Sequence, residues 1–185
     1  RYSSSAASDV YKRQIKKVVV KNSKLYVNRE DGFIGTSLRR EEYVEDCSDI
    51  DDIIVFTSNG DMIVTKVDSK KFVAKNILYV SVFKKRDSRT IYNMIYKEGK
   101  SGVSYIKRFN VTGVTRDKTY NLTSQNPKTK ILHFSANPNG EAEIVTIQLR
   151  QSGSIKKLKW DLDFADLAIK GRSVKGNIVS KYSVN

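Results

Sequence analysis

Cationic side chains recur through the second half of the chain at positions that alternate with apolar ones. Lys107 and Arg108 follow Tyr105 and Ile106, Lys128 and Lys130 lead into Ile131, and Lys156, Lys157 and Lys159 surround Leu158. Lys100, Arg116, Lys118, Lys170, Arg172, Lys175 and Lys181 extend the series. Such a series suits one chemistry, the neutralisation of a polyanion. Duplex DNA carries one charge per about 1.7 Å of helix axis, and every phosphate neutralised releases counterions. Contacts of that kind position a duplex without reading its sequence. These fourteen residues are the candidate nucleic-acid contacts.

Other chemistries find less support. Tyr92, Tyr96 and Tyr105 interleave with charge as a stacking platform for single strands would. Aromatic residues at alternate strand positions more commonly pack across strands, and that reading is adopted for them and for Trp160. Asp46, Asp49, Asp51 and Asp52 lack the central glycine and final glutamate of a calcium loop, so no metal site is expected. His133 is the sole histidine and has no serine or cysteine placed as a nucleophile beside it in a triad pattern. Cys47 has no second thiol to pair with and reads as a buried structural cysteine. No glycine loop suited to cradling phosphates is present. The expectation is a chain with no catalytic centre and no cofactor.

The elements that position the cations are hairpins. Ile53–Phe56, an Asn59-Gly60 turn and Met62–Val67 form one; Ile131–Phe134, an Asn137–Gly140 turn and Ala142–Leu149 read as its second copy. Upstream of each lies another hairpin. Leu25–Asn28 turns at Gly32 into Phe33–Leu38, and Thr90–Tyr96 turns at Gly99 and Gly102 into Val103–Phe109. Turns at Gly153 and Gly176 close a shorter third set, with strands at Ile155–Leu158, Ala168–Lys170 and Ile178–Tyr182. Pairing Gly32 with Gly60, Gly102 with Gly140 and Gly153 with Gly176 predicts three four-stranded antiparallel units. The fold class expected is all-β, a propeller-like array of about three blades. Arg39–Asp52 reads as a charged loop, and Asp161–Lys170 has room for a short helical turn.

Composition agrees with a folded, sheet-rich chain: 39% hydrophobic and 29% charged residues, with two prolines and seventeen Tyr and Phe. The net charge of +14 is uneven, about +3 over residues 15–95 and +9 over 96–185. Charge asymmetry bears on partners rather than on fold. No apolar run approaches the roughly 18 residues that span a bilayer, and the cations follow strand rather than helix spacing, so nucleic acid is preferred over membrane. Residues 1–14 look like translated sequencing-adaptor read-through and are expected to be non-native. Without their charges the chain keeps +12. Residues 15–185 are then one partial domain, with a cytoplasmic, nucleoid-associated setting expected.

The strand Gly102-Val103-Ser104-Tyr105-Ile106-Lys107-Arg108 resembles the Gly-Tyr-Ile-Lys-Arg strand that recurs in the C-terminal domains of DNA gyrase A and topoisomerase IV A subunits. Ile53 to Gly60 resembles the partner hairpin, and Gly171-Arg172 with Gly176-Asn177-Ile178 resembles the Gly-Arg…Gly stretch of the same blades. The resemblance, closest to topoisomerase IV of the Bacteroides group, covers roughly residues 16–184. It implies a β-pinwheel whose basic rim binds and bends duplex DNA. It also implies a parent protein that carries the breakage–reunion domain and works with an ATPase B subunit. Two departures stand out. The Gln-Arg-Arg-Gly-Gly-Xaa-Gly box of gyrase is absent from this stretch, and Gly35-Thr36 stands where the family prefers Lys-Arg. Two rival readings are a protein-interaction propeller that does not bind DNA and an RNA-binding all-β module.

Overall fold

Runs of Val, Ile, Tyr and Phe between glycine turns favour extended strands, whose backbone N–H and C=O groups must then find partners in ladders. The computed structural model describes residues 20–182 and 184, so the segment 1–14 lies outside the described residues. The first sheet has the order β3 (Glu42–Cys47), β1 (Ser23–Asn28), β2 (Phe33–Gly35), β6 (Lys71–Phe72). The second runs β10 (Thr119–Asn121), β5 (Asp61–Lys66), β4 (Asp52–Thr57), β7 (Ile77–Phe83). The third places β11 (Lys130–Asn137) beside β8 (Ile91–Lys97) and β9 (Ser104–Asn110). The far edge of β9 is shared by β14 (Ile169–Gly171), parallel to it, and β15 (Asn177–Ser180), antiparallel. Finally β12 (Ile144–Gln148) and β13 (Lys159–Asp163) form a two-stranded fourth sheet.

The three larger sheets are built alike. A hairpin fills the middle, and a later strand pairs beside its first member. The second member's edge is filled only after the chain has made the hairpin of the next sheet. Thus β6 returns to the first sheet after β4 and β5, β10 returns to the second after β8 and β9, and β15 returns to the third after β12 and β13. Every sheet is locked to its successor. The all-β, bladed architecture expected from sequence is observed.

The grouping of hairpins differs from expectation. Consecutive hairpins do not share a blade: β1–β2 and β4–β5 sit in separate sheets, stacked face to face. The cause lies in the period of two. Ile53 and Val55 pack with Leu25, Val27 and Ile34 of the first sheet, whereas Ile54 and Phe56 pack with Tyr92, Met94 and Phe109 of the third. A strand apolar on both faces belongs in a middle layer. Phe56, Tyr92 and Phe134 meet at centroid distances of 4.7 to 5.9 Å, tying the second sheet to the third.

Three local readings are also corrected. The turn at Asn137–Gly140 forms, with Gly140 N donating to Asn137 O at 3.1 Å, but β11 pairs with β8 and β12 with β13. Arg39–Asp52 contains β3, whose charges fit a sheet edge facing water. In the third set, Ile155–Leu158 is not a strand; β13 begins after it, and Trp160 registers with Ile147. A single 3-10 turn, Phe164–Asp166, lies in the stretch read as a short helical turn, its first turn capped by Asp163. Cys47 is fully buried, as expected.

Candidate nucleic-acid interface

Antiparallel pairing sorts the connections to two ends of the sheets. The hairpin turns at 29–32, 58–60, 98–103 and 149–158 share one end with the connections 73–76 and 122–129. Hydrogen bonds among them confirm it: Val73 N to Gly32 O at 2.8 Å, Ser58 N to Asn76 O at 3.0 Å, and Gly99 N to Thr129 Oγ1 at 3.0 Å. The connections 48–51, 67–70, 84–90, 111–118, 138–143 and 164–168 emerge at the opposite, crossover end.

The structure brings seven candidate cations together at the hairpin end of the third and fourth sheets. Lys100, Lys128, Lys156 and Lys157 lie in its connections; Lys130 and Lys159 open strands there, and Lys181 follows β15, which runs towards it. All seven are exposed. Segments 122–130 and 149–159 contain no Asp or Glu. The buried Glu98 at this end faces the Lys175 ammonium at 3.3 Å. Lys175 also lies 4.7 Å from the centre of the Tyr105 ring, and bonds to Tyr105 and Glu98 raise its pKa. It is already engaged within the fold.

At the crossover end the candidate cations are partnered or sit among acids. Arg116 Nε is 2.8 Å from Asp52 Oδ1. Arg172 donates to Gly113 O at 3.2 Å, and its guanidinium lies 4.0 Å from the Tyr120 ring centre, with Lys118 at 5.1 Å from the same ring. Lys170 shares a cavity wall with Asp166. Asp49, Asp51, Glu141 and Glu143 occupy neighbouring connections. One basic loop at this end was missed: Lys84, Lys85, Arg86 and Arg89, braced by Asp87, which accepts from Arg89 N and from Thr90. Four cations in six residues were a visible signal, hidden by averaging charge over the nearly neutral first half.

Lys107 and Arg108, expected at the interface, are buried. Lys107 is 4% exposed, and its ammonium donates to the carbonyls of Leu122, Arg172 and Val174 at 2.5, 2.7 and 2.9 Å. Burial, with Arg172 nearby, pushes its pKa down to about 7. Arg108 is 9% exposed; it donates to Asn93 Oδ1 and to the carbonyls of Gly140 and Glu141. Both residues occupy consecutive positions of a strand covered on both faces, so neither side chain is presented to solvent. Tyr92, Tyr96 and Tyr105 are buried as the packing reading held. Trp160 packs against the cluster of Ile147 and Phe164.

Asn93 links Arg108 to a second polar group. Glu143 accepts from Ser135 Oγ at 2.6 Å and Asn93 Nδ2 at 2.8 Å, and faces His133 Nε2 at 2.6 Å. Burial pushes the Glu143 carboxyl up, but bonds from Ser135, His133 and Asn93 outweigh it and bring the pKa down to about 2. Serine and histidine both address the carboxylate rather than each other, which is a structural brace and not a nucleophilic relay. Among the described residues no group of three His, Cys, Asp or Glu could hold a metal, and no helix is long and apolar enough to cross a membrane.

The family model of the Bacteroidota topoisomerase C-terminal domain matches residues 24–185. The chain belongs to this family. The A subunit of DNA topoisomerase 4 from Borreliella burgdorferi is 31% identical over 127 residues, 68% of this chain and 20% of that protein. The chain therefore spans about a fifth of the length of the curated relative it matches. No solved structure matches. The resemblance read from the hairpin strands is borne out, and the topoisomerase C-terminal domain here is an array of interlocked blades.

Proposed function

We propose that this topoisomerase C-terminal domain binds and bends duplex DNA, through the hairpin end of its third and fourth sheets. The observation that carries the reading is the exposed lysine group Lys100, Lys128, Lys130, Lys156, Lys157, Lys159 and Lys181, five of them in the acid-free segments 122–130 and 149–159, while the crossover-end candidates are paired or surrounded by acids. Affinity would come from counterion release, and the lysines would impose no sequence preference. Smooth bending of a short site costs on the order of 1–6 kcal/mol, so several phosphates must be held at once. Lysines contributed by different connections offer that spacing. In the parent enzyme the domain would serve in an accessory role, holding a DNA segment near a gate formed by the breakage–reunion domain and partnered by the ATPase B subunit.

A titration of the chain with a labelled duplex at low and at moderate salt tests this. Binding that weakens steeply with salt and ignores sequence supports it. Binding indifferent to salt, or none, would favour the protein-interaction propeller instead.

A further inference from the structure

At the hairpin end, between the fourth sheet and the β15 edge of the third, lies a cavity of about 350 Å³. Its walls are the apolar and aromatic side chains of Leu149, Ile155, Trp160, Val179 and Tyr182. Lys156, Lys157 and Lys181 line it as well. The volume falls at the low end of small-molecule sites, which run to about 300–1,000 Å³. Lys157 Nζ stands 5.7 Å from the Trp160 ring centre, and Tyr182 is 56% exposed. An apolar occupant would cover three ammonium groups without offering them a counter-charge. A flat aromatic ring bearing phosphate satisfies both halves of the site, since bases stack on aromatic side chains and phosphates pair with lysine.

We infer that this cavity takes an unstacked nucleotide, its base against Trp160 and Tyr182 and its phosphates at Lys156, Lys157 and Lys181. As far as DNA is the source of that nucleotide, the inference rests on the DNA-binding reading above. Kinking a duplex unstacks base steps, and a seat for the displaced base offsets that loss. The cavity then serves bending directly, at the same end of the sheets as the lysine group.

Trp160 is the sole tryptophan of the chain, so its emission reports from this cavity alone. The chain is titrated with a thymidine oligomer, a duplex carrying one unpaired thymidine, the same duplex fully paired, and thymidine monophosphate. Mobility shifts are recorded in parallel. The oligomer and the interrupted duplex are expected to quench Trp160, with Tyr182→Ala weakening both by roughly tenfold. The paired duplex should shift in mobility with little quenching. Quenching by the monophosphate at the oligomer's concentration would keep the nucleotide but make the free pool its source. If the oligomer and interrupted duplex bind by mobility shift while Trp160 emission stays constant, the inference is overturned and duplex binding stands. Quenching by the oligomer without any shift of the paired duplex would remove duplex binding and leave the cavity's role intact.

Discussion

Lys107 shows how a residue's neighbours decide its work. Its ammonium has three N–H groups, and three carbonyls from two separate segments receive them. Lys107→Met keeps the stem but leaves those carbonyls without a donor, which should lower stability by about 3 kcal/mol in urea unfolding. The same variant should leave the salt dependence of DNA binding within about half a unit of the parent, whereas a phosphate contact would remove about one. Glu143 gives the residue-scale pH test. Its folded pKa of about 2 lies below its ordinary value, so its contribution is complete above pH 4.5 and vanishes as pH falls through 2. Thermal unfolding should therefore show stability declining below about pH 5, by about 3 kcal/mol for this group. Glu143→Gln should flatten that decline.

At the scale of elements, each middle hairpin must receive a returning chain along the edge of its second strand, and three blades solve this differently. In the first, Gly35 lets the return pass in direct backbone contact: a Cβ there would lie 2.1 Å from Ser69 O, and Thr36 N donates to Asp68 O at 3.0 Å. In the second, Thr65 Oγ1 donates to Asp117 at 2.7 Å. In the third, Lys107 reaches Arg172 O and Val174 O. Gly35 stands where the resemblance implied lysine, and this backbone contact leaves no room for a Cβ. Gly35→Ala should cost about 2–3 kcal/mol and speed hydrogen exchange at Lys71 and Phe72, the strand it would push away. The middle hairpins were legible from sequence because β4, β5, β8 and β9 carry long apolar runs around glycine turns. The returning strands were not. Lys71–Phe72 and Thr119–Asn121 are too short to show alternation, and their partners are fixed by chain already folded elsewhere.

For the whole molecule, interlocking means that no blade is complete until its successor has formed. Contacts of long sequence separation dominate, so folding should be slow for the chain's length, and the three sheets should unfold together. Charge was legible in the sequence as an excess in the second half, but its placement was not. Lys130 and Arg116 look alike in composition, yet strand direction sends one to the hairpin end and the other to Asp52 at the crossover end. Only the interleaved topology separates them. The most direct measurement is the slope of log Kobs against log salt for a DNA duplex, compared between two sets of Lys/Arg→Gln variants. Removing Lys100, Lys128, Lys130, Lys156 and Lys157 should reduce the slope by about 4.5, close to 0.9 for each lysine that meets a phosphate. Removing Arg116, Lys118 and Lys170 should change it by less than about 1. Equal losses from the two sets, or a larger loss from the second, would contradict a DNA track at the hairpin end.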